Sequence, residues 1–324
     1  MVSHSKNTET GNFPGLPSLF CERVFEIAGP NRAPAILKSY TVPRPVSIRV
    51  NTLRSSREQV LESLSKQGIS LQAVPWYRDA FITDTSSRIL TATTLYNSGA
   101  IYLQGLSSMI PALVLDPRPG EKVLDMTAAP GSKTTQIAAL MQNTGELVAN
   151  DVSRSRLYKL KEILSWQGVR IARTENLPGQ RIWERYKGYF DKVLLDAPCS
   201  LEGTFSTHDS DSTSGWSERK IKTLAKQQGW LLRSALSATR PGGIVVYSTC
   251  TLSPEENEGV LDWLLRRYPG LCEIIDSSLP HLQTDAAIVS WRGKSYDQTV
   301  TLSSRILPDL HREGFFLARI RKTG

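Results

Sequence analysis

From about residue 107 onward the chain alternates short apolar runs with amphipathic stretches, and this restricts its fold more than any other feature. Val123-Leu124-Asp125 reads as a strand and Lys133 to Met141 as a helix. Leu147 to Asp151 is the next strand and Arg154 to Trp166 the next helix. Val193-Leu194-Leu195 and Ile244-Val245-Val246 are two more strands, with a long helix over Glu218 to Thr239 between them. A final strand, Phe315 to Ile320, closes the series. Strand–helix alternation of this kind predicts a parallel, doubly wound α/β sheet, because parallel neighbours need a crossover connection. In such a sheet ligands bind where strands end at their carboxyl edge. The residues just past each strand therefore carry the functional reading.

Two of those ends carry a cysteine. Cys199 follows one strand in Asp196-Ala197-Pro198-Cys199-Ser200, and Cys250 follows another in Ser248-Thr249-Cys250-Thr251. Two thiols brought to one sheet edge are placed for covalent chemistry. The other two cysteines, Cys21 and Cys272, have no polar motif around them and read as small core residues. No C-x-x-C pair occurs, and the four histidines are scattered, so no metal site is expected.

A third strand end, Asp125 to Thr134, is a run of small residues opening a helix. It lets a ligand approach the backbone, and the helix N-terminus offers free N–H groups. The dinucleotide fingerprint G-x-G-x-x-G and the P-loop are both absent. Asp151, closing the next strand, stands where a carboxylate accepts from ribose hydroxyls; the plainer reading is a helix cap. Glu175, after the third strand, is a candidate for the adenine edge. After Cys250, Ser253 reads as an N-cap, Pro254 as the first helical residue and Glu256 as the partner of a capping box.

Upstream, residues 17–105 read as a small α+β unit. Short helices near Leu19–Ile27 and Ala35–Leu37 precede a strand at Val46–Thr52, and Ser56 opens an amphipathic helix with Val60, Leu61 and Leu64 on one face. Residues 1–16 are expected to be a flexible N-terminus, and 106–324 the catalytic domain. The polar N-terminus has no secretory core and no apolar run approaches membrane-spanning length, so a cytoplasmic protein is expected. Lys and Arg number 39 against 31 acids, a net charge of +8, which favours an anionic partner.

The loop at 125–134, the Asp-Ala-Pro-Cys turn and the run Ser248 to Glu258 together resemble the NOL/NOP/Sun family of RNA cytosine-C5 methyltransferases. The resemblance covers about Tyr102 to Arg321. Arg49-Val50-Asn51-Thr52-Leu53-Arg54 is similar to the family's N-terminal motif. It implies a Rossmann-like class I methyltransferase domain, mostly parallel with an antiparallel last strand, preceded by a small α+β RNA-recognition domain. It also implies S-adenosylmethionine as methyl donor and RNA, ribosomal first and transfer second, as substrate, with no metal and no membrane, for a monomer. Cofactor or base contacts would fall to Thr127, Ala128, Ala129, Pro130, Gly131, Ser132, Lys133, Asp151, Glu175 and Asp196. Where the family continues Pro-Cys-Ser with glycine, Leu201 stands here.

Cytosine C5 is a weak nucleophile, so a thiolate must first add to C6 to give C5 enamine character. Asp196 is the candidate to assist at N3, and Lys133 to hold the base or keep a thiol ionised. Local sequence leaves the attacking thiol open. DNA cytosine methyltransferases use a Pro-Cys turn, which nominates Cys199; the family resembled here uses the Thr-Cys motif, which nominates Cys250 and leaves Cys199 to assist release. Amino-directed methylation lacks its Asn/Asp-Pro-Pro-aromatic turn. RNA contacts are expected from Arg49, Asn51, Arg54, Arg312 and Arg321, with Tyr102 and Gln104 near the channel. An RNA-binding assembly factor with dispensable catalysis is the alternative, and the paired cysteines argue against it.

Overall fold

The computed structural model describes residues 13–324. The expected flexible N-terminus lies largely outside the described residues; of its last four, Phe13 and Leu16 pack against the first helix. Among the described residues no helix is long and apolar enough to cross a membrane.

The chain begins with two helices, α1 (Ser18–Ala28) and α2 (Ala33–Ser39). A four-stranded antiparallel sheet follows, built from β1 (Val46–Val50), β2 (Gln72–Val74), β3 (Tyr77–Thr83) and β4 (Ile101–Leu103) in the order β2-β3-β1-β4. Between its strands lie α3 (Arg57–Lys66) and the short α4 (Ser87–Thr91) and α5 (Thr94–Asn97). The start of α3 is the capping box that Ser56 announces: its hydroxyl accepts from the Gln59 N–H, and the Gln59 side chain accepts from the Ser56 N–H. The core of this sheet is Ile48, Val50, Val60, Leu64, Phe81, Leu90 and Ile101.

The two leading helices do not share that core. Phe20, Val24, Ile36 and Leu37 pack instead with Phe205 and Leu252, which lie on the loops just past the two cysteines. Arg23 is 1% exposed and bonds Glu255 at 2.7 Å and Glu218 at 3.1 Å. The single α+β unit read from sequence is thus two pieces: a sheet, and a helix pair that buttresses the catalytic loops. The sequence separation of about 180 residues hides this partnership from any local pattern.

After α6 (Leu106–Leu115) comes the large sheet. Its strands are β5 (Lys122–Asp125), β6 (Glu146–Asn150), β7 (Ala172–Glu175), β8 (Phe190–Asp196), β9 (Thr239–Thr249), β10 (Cys272–Ile275), β11 (Asp285–Ala286), β14 (Ser304–Ile306) and β15 (Phe315–Lys322); β12 (Ser290–Trp291) and β13 (Lys294–Ser295) form a separate small ribbon. The order is β7-β6-β5-β8-β9-β15, with β10 and β14 both on the far side of β15 and β11 beyond β14. The five strands β7 to β9 are parallel, and β15 runs antiparallel to β9, as the family resemblance implies. The crossovers are α7 (Ser132–Leu140), α8 (Arg154–Trp166), α9 (Trp183–Tyr186), α10 (Glu218–Ala238) and α11 (Glu258–Arg267).

One helix start departs from the sequence reading. α11 begins at Glu258, not at Pro254, and Ser253 makes no capping box. The Glu256 carboxylate turns instead to the Ser200 N–H at 3.0 Å and to the Gln228 amide at 2.8 Å. A tertiary demand from the other cysteine's loop has overridden a local helix signal.

Candidate active site

The carboxyl edge of β8 and β9 brings the two thiols together: Cys199 and Cys250 stand with their sulfurs 3.3 Å apart. The strands are parallel, with Asp196 opposite Ser248, so Cys199, three residues past Asp196, and Cys250, two past Ser248, emerge at the same edge. Cys250 is partly exposed and Cys199 is buried. The Cys199 thiol is pushed well above its ordinary range, first by its hydrogen bond to Cys250 and then by burial. Either sulfur can donate across this contact.

Beside them, Asp196 and Lys133 form an ion pair at 2.7 Å. Ser248 donates to the Asp196 carboxylate at 2.8 Å, and Thr127 donates to its carbonyl at 2.8 Å. Lys133 also donates to Ser108 at 2.9 Å. Burial alone would depress the lysine, but the Asp196 charge and hydrogen bond outweigh it and hold the ammonium above its usual value. The cation is thus kept charged next to the thiols. Ser108, at the start of α6, carries no sequence signal, because it reaches the site from outside every strand end.

The loop after β5 runs through residues 126–131 into α7. Gly131 has φ +120°, and a Cβ there would meet Leu160 at 2.8 Å. Ala128 and Ala129 are buried, Pro130 is exposed, and Ser132 opens α7. The Asp125 carboxyl, which accepts from Thr134 at 2.7 Å, is raised to about 7, chiefly by burial. Asp151 accepts from the Ala129 N–H at 3.3 Å and the Ser153 N–H at 2.9 Å, and meets Arg156 at 3.2 Å. It does not cap α8; Ser153 does. Asp151 is thus a buried carboxylate held against the loop. Small residues, a helix N-terminus and a carboxylate beside them are groups that fit an adenosyl cofactor.

Glu175 adjoins Asp151 through the backbone, its carbonyl accepting from the Asp151 N–H at 3.2 Å. Its carboxylate accepts from the Tyr186 hydroxyl at 2.6 Å and from Arg185 at 3.0 Å. Its neighbour Asn176 is also tied to Asp151, donating to that residue's carbonyl at 2.8 Å.

The polar run Ser248 to Glu258 is used almost wholly inside the protein. Glu202, from the loop after Cys199, accepts from Thr251 at 2.9 Å, Ser253 at 2.8 Å and the Leu252 N–H at 3.1 Å. Asn257 bridges Thr249 at 2.6 Å and the Thr251 carbonyl at 3.0 Å. Glu258 and Arg305 form a buried bidentate pair at 2.6 Å. Gly203 donates to the Cys250 carbonyl at 2.9 Å. The two cysteine loops are therefore stitched to each other, which fixes the sulfur-to-sulfur approach.

The expected RNA contacts near the N-terminus are overturned for Arg49 and Asn51, which are buried, while Arg54 stays exposed. Arg49 is 0% exposed and donates to Gln104 at 2.9 Å and Thr135 at 2.7 Å. Asn51 donates to the carbonyls of Gly99 and Gln167, and Arg54 to those ending α8. Tyr102 and Gln104 are also buried. Buried partners explain it: these residues join the small sheet to α7 and α8. Arg312 pairs with Asp309 and Arg321 with Glu273. Among the described residues no group of three or more His, Cys, Asp or Glu side chains gathers as a metal centre would need.

Comparison with known proteins agrees with this geometry. A family model described as 16S rRNA methyltransferase RsmB/F matches residues 112–321, and one for the N-terminal domain of 16S rRNA methyltransferase RsmF matches 16–105. A tRNA (cytosine(49)-C(5))-methyltransferase of Pyrococcus abyssi is 39% identical over 87% of this chain and 89% of its own. Ribosomal RNA small subunit methyltransferase F of Cronobacter sakazakii is 40% identical over 86% of this chain, which spans only 57% of that protein. The crystal structure of a methyltransferase homologue from Pyrococcus horikoshii superimposes with a TM-score of 0.83 at 37% identity, covering 95% of this chain and 96% of that one. With its motifs, fold and paired thiols in agreement, the chain belongs to the RsmB/F family, the NOL/NOP/Sun group of RNA (cytosine-C5)-methyltransferases.

Proposed function

We propose that this protein transfers a methyl group from S-adenosylmethionine to C5 of a cytosine in RNA, through a covalent bond between Cys250 and C6. The observation that carries the reading is the pair of thiols 3.3 Å apart, one partly exposed and one buried. Residues 127–133 and Asp151 would hold the cofactor, which would supply an electrophilic methyl group. Cys250 adds to C6 while the Lys133–Asp196 pair supplies the hydrogen bond that N3 needs, so that electron density reaches C5. Methyl transfer to C5 leaves S-adenosylhomocysteine; the C5 proton then passes to solvent water as the C6–S bond breaks and Cys250 leaves as a thiolate. The Cys199 S–H, donating to the departing sulfur, stabilises it.

Ribosomal RNA is the favoured substrate, with transfer RNA next, and the protein acts as a cytoplasmic monomer. The match to the RsmF N-terminal domain supports the first, and the Pyrococcus abyssi relative the second.

The test compares wild type, Cys199→Ala and Cys250→Ala after expression in cells and denaturation. RNA that stays covalently attached to Cys199→Ala, and is absent from Cys250→Ala, is the expected result. Equal methyl transfer to RNA by wild type and Cys250→Ala would overturn the mechanism.

A further inference from the structure

Outside the site, α10 carries an unusual face. Arg219, Lys222, Lys226, Trp230 and Arg233 follow one another at spacings of three and four, which places them on one stripe. Arg219, Lys222 and Lys226 are exposed, and so is 48% of Trp230. Arg267 from α11 lies over the Trp230 ring at 5.9 Å, and Arg233 over Tyr268 at 4.9 Å. A cleft of about 350 Å³ opens between the two helices, lined by Lys226, Trp230, Gly259, Trp263 and Arg267.

The acids that could neutralise this face are already taken. Glu218 pairs with Arg23 and Arg292, Asp262 with Arg266, and Glu258 with Arg305. Those three are the only acids in α10 and α11. Glu255, at the rim of the cleft, is held by Arg23 and by the Trp291 N–H. Among the described residues Arg219, Lys222 and Lys226 form no ion pair, so the face is a row of cations around an exposed indole.

Its shape is built in. Trp230 and Trp263 meet edge to face at 5.5 Å, and a Cβ on Gly229 would stand 2.9 Å from the Trp263 ring. A glycine inside a helix costs about 1 kcal/mol relative to alanine. Here it lets the second indole lie flush against α10, which fixes the cleft beneath the first.

Resting on the reading of the substrate as RNA, we propose that this stripe binds a single-stranded segment of that RNA outside the target cytosine. One unpaired base stacks on Trp230, and phosphates follow Lys226, Lys222 and Arg219 toward the thiols. Cations along a backbone track and an aromatic for a base are how single strands are held. A protein partner would bring the opposite composition, since interface cores are poor in lysine. The direction follows from topology. α10 starts at the carboxyl edge of β8, beside the cysteine loops, and runs away from it. Arg219 to Trp230 spans about 16 Å of helix at ~1.5 Å per residue.

The experiment measures binding of a fluorescent single-stranded oligoribonucleotide of mixed sequence, and of its duplex, across a salt series. Trp230→Ala is expected to weaken single-strand binding about tenfold and to spare the duplex, whereas Trp230→Phe retains it. The double variant Lys222→Ala/Lys226→Ala is expected to lower the slope of log Kd against log salt by about 1.4, two phosphates' worth. Unchanged melting temperatures show that the variants fold. Single-strand affinity and slope equal to wild type in these variants would overturn the proposal. Methyl transfer to RNA by wild type is assayed in parallel. If it is present while the variants bind normally, the stripe alone fails. If it is absent while Trp230→Ala still loses the oligonucleotide, the stripe stands and the reaction falls.

Discussion

Leu201 holds the left-handed conformation, φ +63°, directly after Pro198-Cys199-Ser200, and half its side chain is exposed. Glycine at that place in the family has a backbone reason, since a Cβ in this region costs on the order of 1 kcal/mol. Leu201→Gly is expected to raise the urea midpoint, by about 0.5–1 kcal/mol of stability, whereas Leu201→Ala, which keeps its Cβ, gives no gain. Glu256 stores a different tension. Burial, reinforced by the charge of Glu202, lifts its carboxyl from 4.5 to about 7. A raised acid favours the folded state only while protonated. Its contribution is complete below about pH 4.5 and is lost as pH rises through about 7. Glu256→Gln should therefore gain stability relative to wild type between pH 4.5 and 8, by up to about 3 kcal/mol. Urea unfolding of both proteins at the two ends of that range checks it.

At the scale of elements, the two cysteine loops act as one. Gly203 is the crossing point: it donates to the Cys250 carbonyl, and a Cβ there would stand on the Gly314 carbonyl oxygen. Gly203→Ala must displace backbone on both sides, a cost of about 3 kcal/mol. Placed in the Cys199→Ala background, it should abolish covalent RNA retention while Cys250 is still present, and a lowered melting temperature should accompany that loss. The same loops show what sequence can reveal. The strand ends, the thiols beyond them and the helix over Arg154–Trp166 are written in local periodicity and turn residues, so they are legible. Ser253-Pro254-Glu255-Glu256 has the local form of a helix start, yet Glu256 belongs to Ser200, more than fifty residues upstream. Ser108 is invisible for the same reason. No local pattern records a partner reached only through the fold.

For the whole molecule, the basic N-terminal motif is a joint. Arg49 spans from β1 to α7, Asn51 reaches the turn after α8, and Arg54 reaches the end of α8. Its charge suggested a nucleic-acid surface, yet Arg49 and Asn51 are buried in a seam, with Arg54 exposed at its margin. Arg49→Ala is expected to cost ~2–3 kcal/mol through lost charge-assisted bonds. Arg49→Lys should recover little of it, because one ammonium cannot span Gln104 and Thr135 as the guanidinium fork does. Calorimetry should give a single transition for wild type, since sheet and catalytic domain share this seam, and two transitions for Arg49→Ala.

The stitching of the polar run Ser248 to Glu258 bears on how inherited or screened variants are scored. Most of those side chains hold one another, so replacing Thr251, Ser253 or Asn257 would silence methylation without removing a reacting group. A map of inactivating changes would paint the whole run as catalytic. Only a readout that follows the protein's abundance alongside its product would sort the reacting residues from their scaffolding.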